Sequence, residues 1–393
     1  MRIAIVQYGV LHSVFDQLRA GGKETYYAQR YSVNFVADLA ERHEFVGVCG
    51  VLDETPSESQ LTPNLQSVCI PRLNGAVNAP EIIAQLEKWR PDRLILQAPD
   101  RTILKWALAQ GIDTLPLLAD SFEQKSLRNR FRAFRLARLL SHRDIRAVGN
   151  HNIPSCLSLK RIGVSADKVY PWDWPHELRP EAHMPKRLDK DRIRLVFVGS
   201  LTAAKGVGDC IEAARTLKND GLKFEMTLAG GGDFSEQAQT MIREYSLSEQ
   251  VHLAGRLPHD DIVDLLASAT LSMAPSWHDY PEGLPMTIYE ALATRTPLAL
   301  SDHPMFQLYF RDTLATRMAR EKNPAALAAA IKALIAEPET YAEASEATGA
   351  LWNKIKCDLT WGALINAWLG ENGASLYDIR HENLHARLAG LDA

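Results

Sequence analysis

Short apolar runs alternate with helical stretches along most of this chain, and that alternation constrains its fold more than any other feature. Residues 1–7 open it as a first strand, apolar for most of its length, which suits a strand buried on both faces of a sheet. Further strand candidates are residues 45–49, 67–70, 93–97, 115–119 and 145–149, with 168–170 closing the series. Strands alternating with helices predict an α/β fold with a parallel, doubly wound sheet, whose ligands lie beyond the carboxyl ends of the strands. Asp100, Asp120 and Ser121 occupy such positions. Residues 171–192 then hold four prolines, two tryptophans and many charges without a clear period, as an interdomain linker does. The alternation restarts at residues 194–199 and continues through 224–229, 270–274 and 297–300, so the two halves share one architecture.

A chain of 393 residues has room for two or three domains. A formal charge of −4 argues against a general nucleic-acid binder. Cys49, Cys69, Cys156, Cys210 and Cys357 are scattered and show no C-x-x-C spacing, which excludes a disulfide framework or a zinc site as the organising element. No signal peptide precedes the first strand, and no apolar run reaches about 18 residues, so a cytoplasmic protein without a membrane span is expected. The histidines are scattered and no D-x-D follows a strand, so no metal site is expected.

Candidate chemistry concentrates in residues 275–292. An apolar run at 270–274 leads into a loop holding Glu282 and Gly283, and a helix follows with Pro285 near its first turn, where a missing N–H costs nothing. The free N–H groups of Met286, Thr287 and Ile288, with the helix dipole, form an anion site. Glu290 lies more than a turn inside that helix, while Glu282 stays in the loop. Two carboxylates eight apart around a helix start suit a ligand with hydroxyls at both ends and a diphosphate between them.

This stretch, with its segment E-G-L-P-M-T-I-Y-E-A-L-A, resembles the E-x7-E signature of retaining glycosyltransferases of the GT-B type, in the large group 1 family also called glycosyltransferase family 4. The likeness is strong over residues 194–300 and weaker before them. It implies two Rossmann-like, doubly wound parallel-sheet domains facing a deep interdomain cleft. Residues 1–175 would form the acceptor domain, 176–192 the linker and 193–364 the donor domain. A C-terminal helix, residues 365–393, would return to the first domain. The implied reaction moves a sugar from a UDP- or GDP-linked donor to an acceptor hydroxyl with retention, without metal or other cofactor. The saccharide or lipid-linked acceptor would belong to polysaccharide or glycolipid assembly. A binding-only relative, or an epimerase or phosphorylase on the same frame, is the alternative.

The same resemblance assigns roles residue by residue. Glu290 would take the ribose hydroxyls, and Glu282 the sugar hydroxyls and the charge developing on the ring. Lys205, with the main chain of Gly283, Leu284, Pro285, Met286 and Thr287, would meet the diphosphate. Lys205 matches the lysine of the G-R-x3–5-K-G loop, but Ser200 stands where the arginine is expected, leaving Arg256 or Lys23 as a substitute cation. Gly230 begins a G-x-G-like turn, and Arg256 and Leu257 lie in the loop that contacts the base through main chain. Gly21 and Gly22 match a G-G-x-E loop lining the cleft. Asp120 stands where relatives carry a histidine; it either accepts a sugar hydroxyl, as a third catalytic candidate, or caps the next helix. Arg295 replaces a glycine expected in a left-handed helix cap.

Residues 125–143 hold seven Lys or Arg and no acidic residue. At helical spacing Lys125, Arg128, Arg132, Arg135 and Arg143 share one face, and Leu127, Phe131, Phe134 and Ala137 another. A basic amphipathic helix of this kind suits an anionic membrane surface, making the protein peripheral on its inner face, or an acidic acceptor. A solvated face paired with acids from elsewhere is the plainer reading.

Overall fold

The computed structural model describes residues 1–52, 55–122, 127–311 and 313–391. The chain divides into two compact units. The first comprises Met1–Glu24, Ala28–Pro175 and Cys357–Ala393, and the second Thr25–Tyr27 and His176–Lys356.

The first unit is built on an eight-stranded sheet of β1 (Arg2–Tyr8), β2 (Phe45–Leu52), β3 (Ser57–Thr62), β4 (Leu65–Pro71), β5 (Arg93–Leu96), β6 (Asp113–Leu118), β7 (Val148–His151) and β8 (Val169–Trp172). Its spatial order is β3-β4-β2-β1-β5-β6-β7-β8, so the winding reverses at β1. Ile3, Ala4, Ile5 and Val6 are fully buried because both faces of this central strand are covered, which is why β1 reads as a continuous apolar run. Ile5 lies opposite Val48 of β2 and Ile95 of β5, all parallel. The antiparallel edge strand β3 was not expected: its polar residues carry no apolar alternation, as befits an exposed edge.

The C-terminal segment returns to this unit from Cys357, as two α-helices rather than the one expected over 365–393. Leu384–Leu391 comes last, and Trp361–Leu369 joins the core through Leu364, Ile365 and Trp368, beside Ile3, Leu39 and Trp172. Its approach is fixed by Asp173, which is fully buried. One carboxylate oxygen of Asp173 accepts the Trp174 N–H (2.9 Å) and faces His151 Nε2 (3.2 Å), and the other accepts the Cys357 N–H (3.2 Å).

The second unit carries a six-stranded sheet of β9 (Ile193–Val198), β10 (Phe224–Ala229), β11 (Val251–Gly255), β12 (Leu271–Ala274), β13 (Leu298–Ser301) and β14 (Thr316–Ala319), in the order β11-β10-β9-β12-β13-β14. Every pairing in it is parallel. Leu195, Phe197, Leu228, Met273 and Ile331 lie in its core. The Ala-rich helix Pro324–Leu334 buries Leu327, Ala328, Ile331 and Leu334 there and leaves its other face to solvent.

The expected linker packs with this unit as an ordered strap. Lys186 Nζ donates to Leu266 O (2.9 Å), Ala269 O (2.8 Å) and Thr296 Oγ1 (2.6 Å). Arg295 has φ +60°, a left-handed backbone that favours glycine. Its Nε donates to Pro180 O (3.0 Å) and His183 O (3.2 Å), contacts that oppose the backbone strain. Among the described residues no helix is long and apolar enough to cross a membrane.

Candidate functional site

The second unit gathers its chemistry where the winding reverses, at the carboxyl ends of β9, β10 and β12. After β12 the chain runs through the loop to the helix Met286–Ala293, with Pro285 as its N-cap and no side-chain cap. The N–H of Ile288 is taken by Pro285 O at 3.0 Å, which corrects the expectation that it is free. Met286 and Thr287 remain as the uncapped donors of the first turn. The side chains of Leu284 and Met286 are buried.

Both carboxylates are buried and partnered within this unit. Glu282, 5% exposed, accepts from Lys205 Nζ and from Ser276 Oγ, each at 2.5 Å. Lys205 also lies 4.4 Å from the centre of the Tyr280 ring, which adds a cation–π contact. Glu290, 3% exposed, meets His259 Nε2 at 2.8 Å. The buried Tyr27 ring packs edge-on against His259 at 5.4 Å. Ser276, Tyr280, His259 and Tyr27 were not singled out by sequence reasoning. His259 stands two residues past Leu257 in the expected base loop, the one cue that could have found it.

Bare backbone brings the loops together. Gly206 has φ +74°, and a Cβ there would lie 2.4 Å from Pro275 O, so only glycine lets the Lys205 loop touch the Glu282 loop. The Trp277 N–H donates to Ala204 O (2.8 Å) across the same junction. A Cβ on Gly230 would fall 1.8 Å from Gly199 O, and one on Gly232 would fall 2.3 Å from Leu201 O. The glycine turn is thus already occupied by the backbone that carries the exposed Ser200. Arg256 is exposed and its side chain lies over Gly231, on this rim. Leu257 is half-buried beside it in sequence.

The remaining candidates fall in the first unit. Gly21 and Gly22 close the helix Leu11–Arg19: the Gly21 N–H bonds Leu18 O (3.2 Å) and the Gly22 N–H bonds Gln17 O (2.9 Å), with Gly21 at φ +80°. This is a Schellman cap, and it accounts for both glycines structurally. Lys23, whose carbonyl accepts from Gln17 Nε2 (2.7 Å), follows in the same turn. Asp100 caps the helix Arg101–Ala109 through the N–H groups of Thr102 and Ile103. Asp120 is no cap: Ser121 and Phe122 after it are non-helical, and the next described helix begins at Leu127. Burial pushes its carboxyl up to about 6. Tyr8, at the end of β1, is raised to about 12, first by burial and then by the Asp120 charge, and Arg72 stands 5.7 Å from its ring.

In the helix Leu127–Leu140, Leu136, Ala137 and Leu140 are buried. Phe131 and Phe134 are 62% and 54% exposed, so the expected apolar face with Ala137 does not pack as one. Arg132 and Arg135 are exposed beside them, Arg135 at 5.7 Å from the Phe131 ring. Lys125 lies outside the described residues, as does the side chain of Arg128. Among the described residues no group of three or more His, Cys, Asp or Glu could hold a metal ion.

Comparison with known proteins adds to this geometry. The family described as "Glycosyl transferases group 1" matches residues 179–349. The amylovoran biosynthesis glycosyltransferase AmsK of Erwinia amylovora is 32% identical over 173 residues, 43% of this chain and 41% of that protein, so less than half of the relative's length is matched. Sucrose-phosphate synthase from Thermosynechococcus elongatus superposes with a TM-score of 0.66 at 16% identity, over 94% of this chain and 98% of the other. Alr3699/HepE of Anabaena, solved with UDP and glucose, gives 0.62 at 14% identity, over 90% of this chain and 95% of the other. At such identities the likeness speaks for the fold, which is of the GT-B class. The strand order, the loop that presents Glu282 ahead of Glu290, and the matched domain together assign residues 179–349 to the group 1 glycosyltransferase family.

Proposed function

We propose that this protein is a retaining, metal-independent glycosyltransferase that moves a sugar from a UDP- or GDP-linked donor to an acceptor hydroxyl in polysaccharide or glycolipid assembly. The observation that carries the reading is the pair of buried carboxylates flanking an uncapped helix start, with Lys205 in contact with one of them. Glu290 holds the ribose hydroxyls, oriented by His259. Lys205 and the Met286 and Thr287 amides take the diphosphate, supplying the positive charge that a divalent ion would otherwise bring. Glu282 then accepts sugar hydroxyls and supports charge on the ring. The bond from the anomeric carbon to the diphosphate breaks with its electron pair leaving on oxygen. The acceptor oxygen attacks from the same face, and its proton passes to the departing phosphate. Asp120, half-buried just past β6 and with its carboxyl pKa raised, is assigned to an acceptor hydroxyl.

The AmsK name supports a role in polysaccharide assembly, and the HepE complex supports a uridine donor. The exposed Phe131 and Phe134 among arginines support docking on an anionic membrane surface, where aromatic rings and cations both find partners. Calorimetry with UDP, GDP and ADP identifies the base, and turnover of the matching sugar donors in excess EDTA, with the product anomer read by NMR, tests the rest. Nucleotide binding without any transfer points to a binding-only relative; inverted product or loss of activity in EDTA overturns retention or metal independence respectively.

A further inference from the structure

The loop that presents Glu282 is held by a histidine that none of the proposed chemistry uses. His278 lies between β12 and Glu282. Its Nε2 is 2.9 Å from Asp302 Oδ1 and 3.0 Å from Asp302 O, and its Nδ1 is 3.0 Å from Glu321 Oε1. Asp302 directly follows β13, and Glu321 comes just after β14. The circuit closes through backbone: Glu321 Oε2 accepts the His278 N–H (2.6 Å), and Asp302 Oδ1 accepts the Glu321 N–H (2.8 Å). One imidazole therefore ties together the carboxyl ends of three neighbouring strands.

Among the described residues the atoms facing the two ring nitrogens are acceptors, so the ring is held by Asp302 on one side and Glu321 on the other. The other charged or titratable groups around it are Lys322, 3.2 Å from Asp279 and 4.6 Å from the Trp277 ring; Asp209, which accepts from Trp277 Nε1 at 2.7 Å; and His303, whose ring centre is 5.9 Å away. His303 accepts the Met305 N–H on Nδ1 and faces Tyr280 O with Nε2.

We propose that His278 is a positioning residue for Glu282. Its ring, held between Asp302 and Glu321, fixes residues 277–282 so that the Glu282 carboxylate faces the donor sugar. Loss of the ring, or of the Glu321 carboxylate, loosens the loop and slows transfer. The inference rests on the glycosyl-transfer reading of this same site, but its structural half is measurable without activity.

Two variants, His278→Asn and Glu321→Ala, remove the clamp from either side. Hydrogen exchange of peptides spanning residues 276–284, corrected for intrinsic rates, is compared at one pH in wild type and both variants. Protection is expected to fall roughly tenfold in each variant, the size of one hydrogen bond to a charged group. Turnover at saturating donor should fall with it, while nucleotide diphosphate affinity stays within about twofold. Equal exchange and equal turnover in all three proteins overturn the clamp. The expected exchange pattern in a wild type that turns over no nucleotide sugar refutes the proposed function instead, and leaves the clamp standing as a loop-ordering device.

Discussion

Removing the Lys205 charge should damage stability and catalysis through different routes, and the two can be separated. The Lys205 and Glu282 side chains are only 14% and 6% exposed, and Nζ stands 2.5 Å from Oε1. Lys205→Met keeps most of the stem volume but leaves a buried carboxylate with Ser276 Oγ as its one remaining named donor. Breaking one side of a buried pair costs roughly 3–5 kcal/mol, because the other charge is left uncompensated. Access to solvent at the rim places this site near the lower figure. For a unit of this size that corresponds to a drop in Tm of about 6–12 °C. Adding Glu282→Gln removes the stranded charge, so the double variant should regain most of the loss. Its turnover should not return, since the diphosphate would still lack its cation, at a cost of about 1.5–3 kcal/mol of transition-state stabilisation, and Glu282 would be neutral as well. Thermal unfolding of the four proteins gives the coupling energy, and steady-state kinetics on the same samples gives the catalytic effect. A Lys205→Met protein as stable as wild type would mean that the pair is not buried. A double variant with full turnover would mean that the diphosphate rests elsewhere.

Glu290→Gln should weaken nucleotide diphosphate binding roughly tenfold or more, because an amide accepts from ribose hydroxyls less well than a carboxylate and loses the charge facing His259; unchanged calorimetric affinity counts against the ribose assignment. Asp120→Asn should raise stability at pH 7 by about 1–3 kcal/mol and leave it unchanged at pH 4. The sign follows from a carboxyl raised from 3.8 to about 6: the folded state keeps the proton after the unfolded chain has lost it, so wild-type stability is lost as pH rises through that window. The same Tm difference between the two proteins at both pH values would refute this. Anionic vesicles should retain the protein at low salt and release it on Arg132→Glu with Arg135→Glu; equal retention by neutral vesicles removes the membrane reading. Gly349→Ala should stabilise an Arg295→Gly background by up to about 1 kcal/mol and the wild type by less, because its Cβ would lie 2.1 Å from Arg295 Nη1 and the guanidinium must shift. Additive effects of the two substitutions would show that they do not share that space.

The strands that were readable are those buried on both faces, where a parallel sheet leaves an unbroken apolar run. Where burial was polar, the reading slipped. β7 was expected at 145–149 but spans Val148–His151, because Asn150 and His151 are buried polar residues held by hydrogen bonds; Asn150 Nδ2 donates to Asp120 O and Ser155 O. The E-x7-E stretch was legible because a loop, a proline and a helix start lie consecutively in sequence. His259, Ser276 and Tyr27 were not, since their importance comes only from contact with Glu290, Glu282 and His259 across the fold. The glycines have structural reasons of their own: Gly21 and Gly22 cap a helix, and a Cβ on Gly230 or Gly232 would meet the backbone of another loop.

That backbone packing bears on how the site selects a ligand. Lys205, Glu282 and Glu290 are largely withdrawn from water before any ligand arrives, and each has a protein partner that a ligand group can replace. A diphosphate offers Lys205 anionic oxygens in place of Glu282, and a sugar offers Glu282 hydroxyl donors in place of Lys205. Exchange of partners in this way leaves no charge stranded, so the desolvation cost is not incurred again on binding. A nucleotide diphosphate without a sugar satisfies Lys205 and leaves Glu282 with Ser276 alone, and a free sugar does the reverse. The arrangement therefore favours a ligand that carries both groups at a fixed separation, as a sugar joined to a diphosphate does.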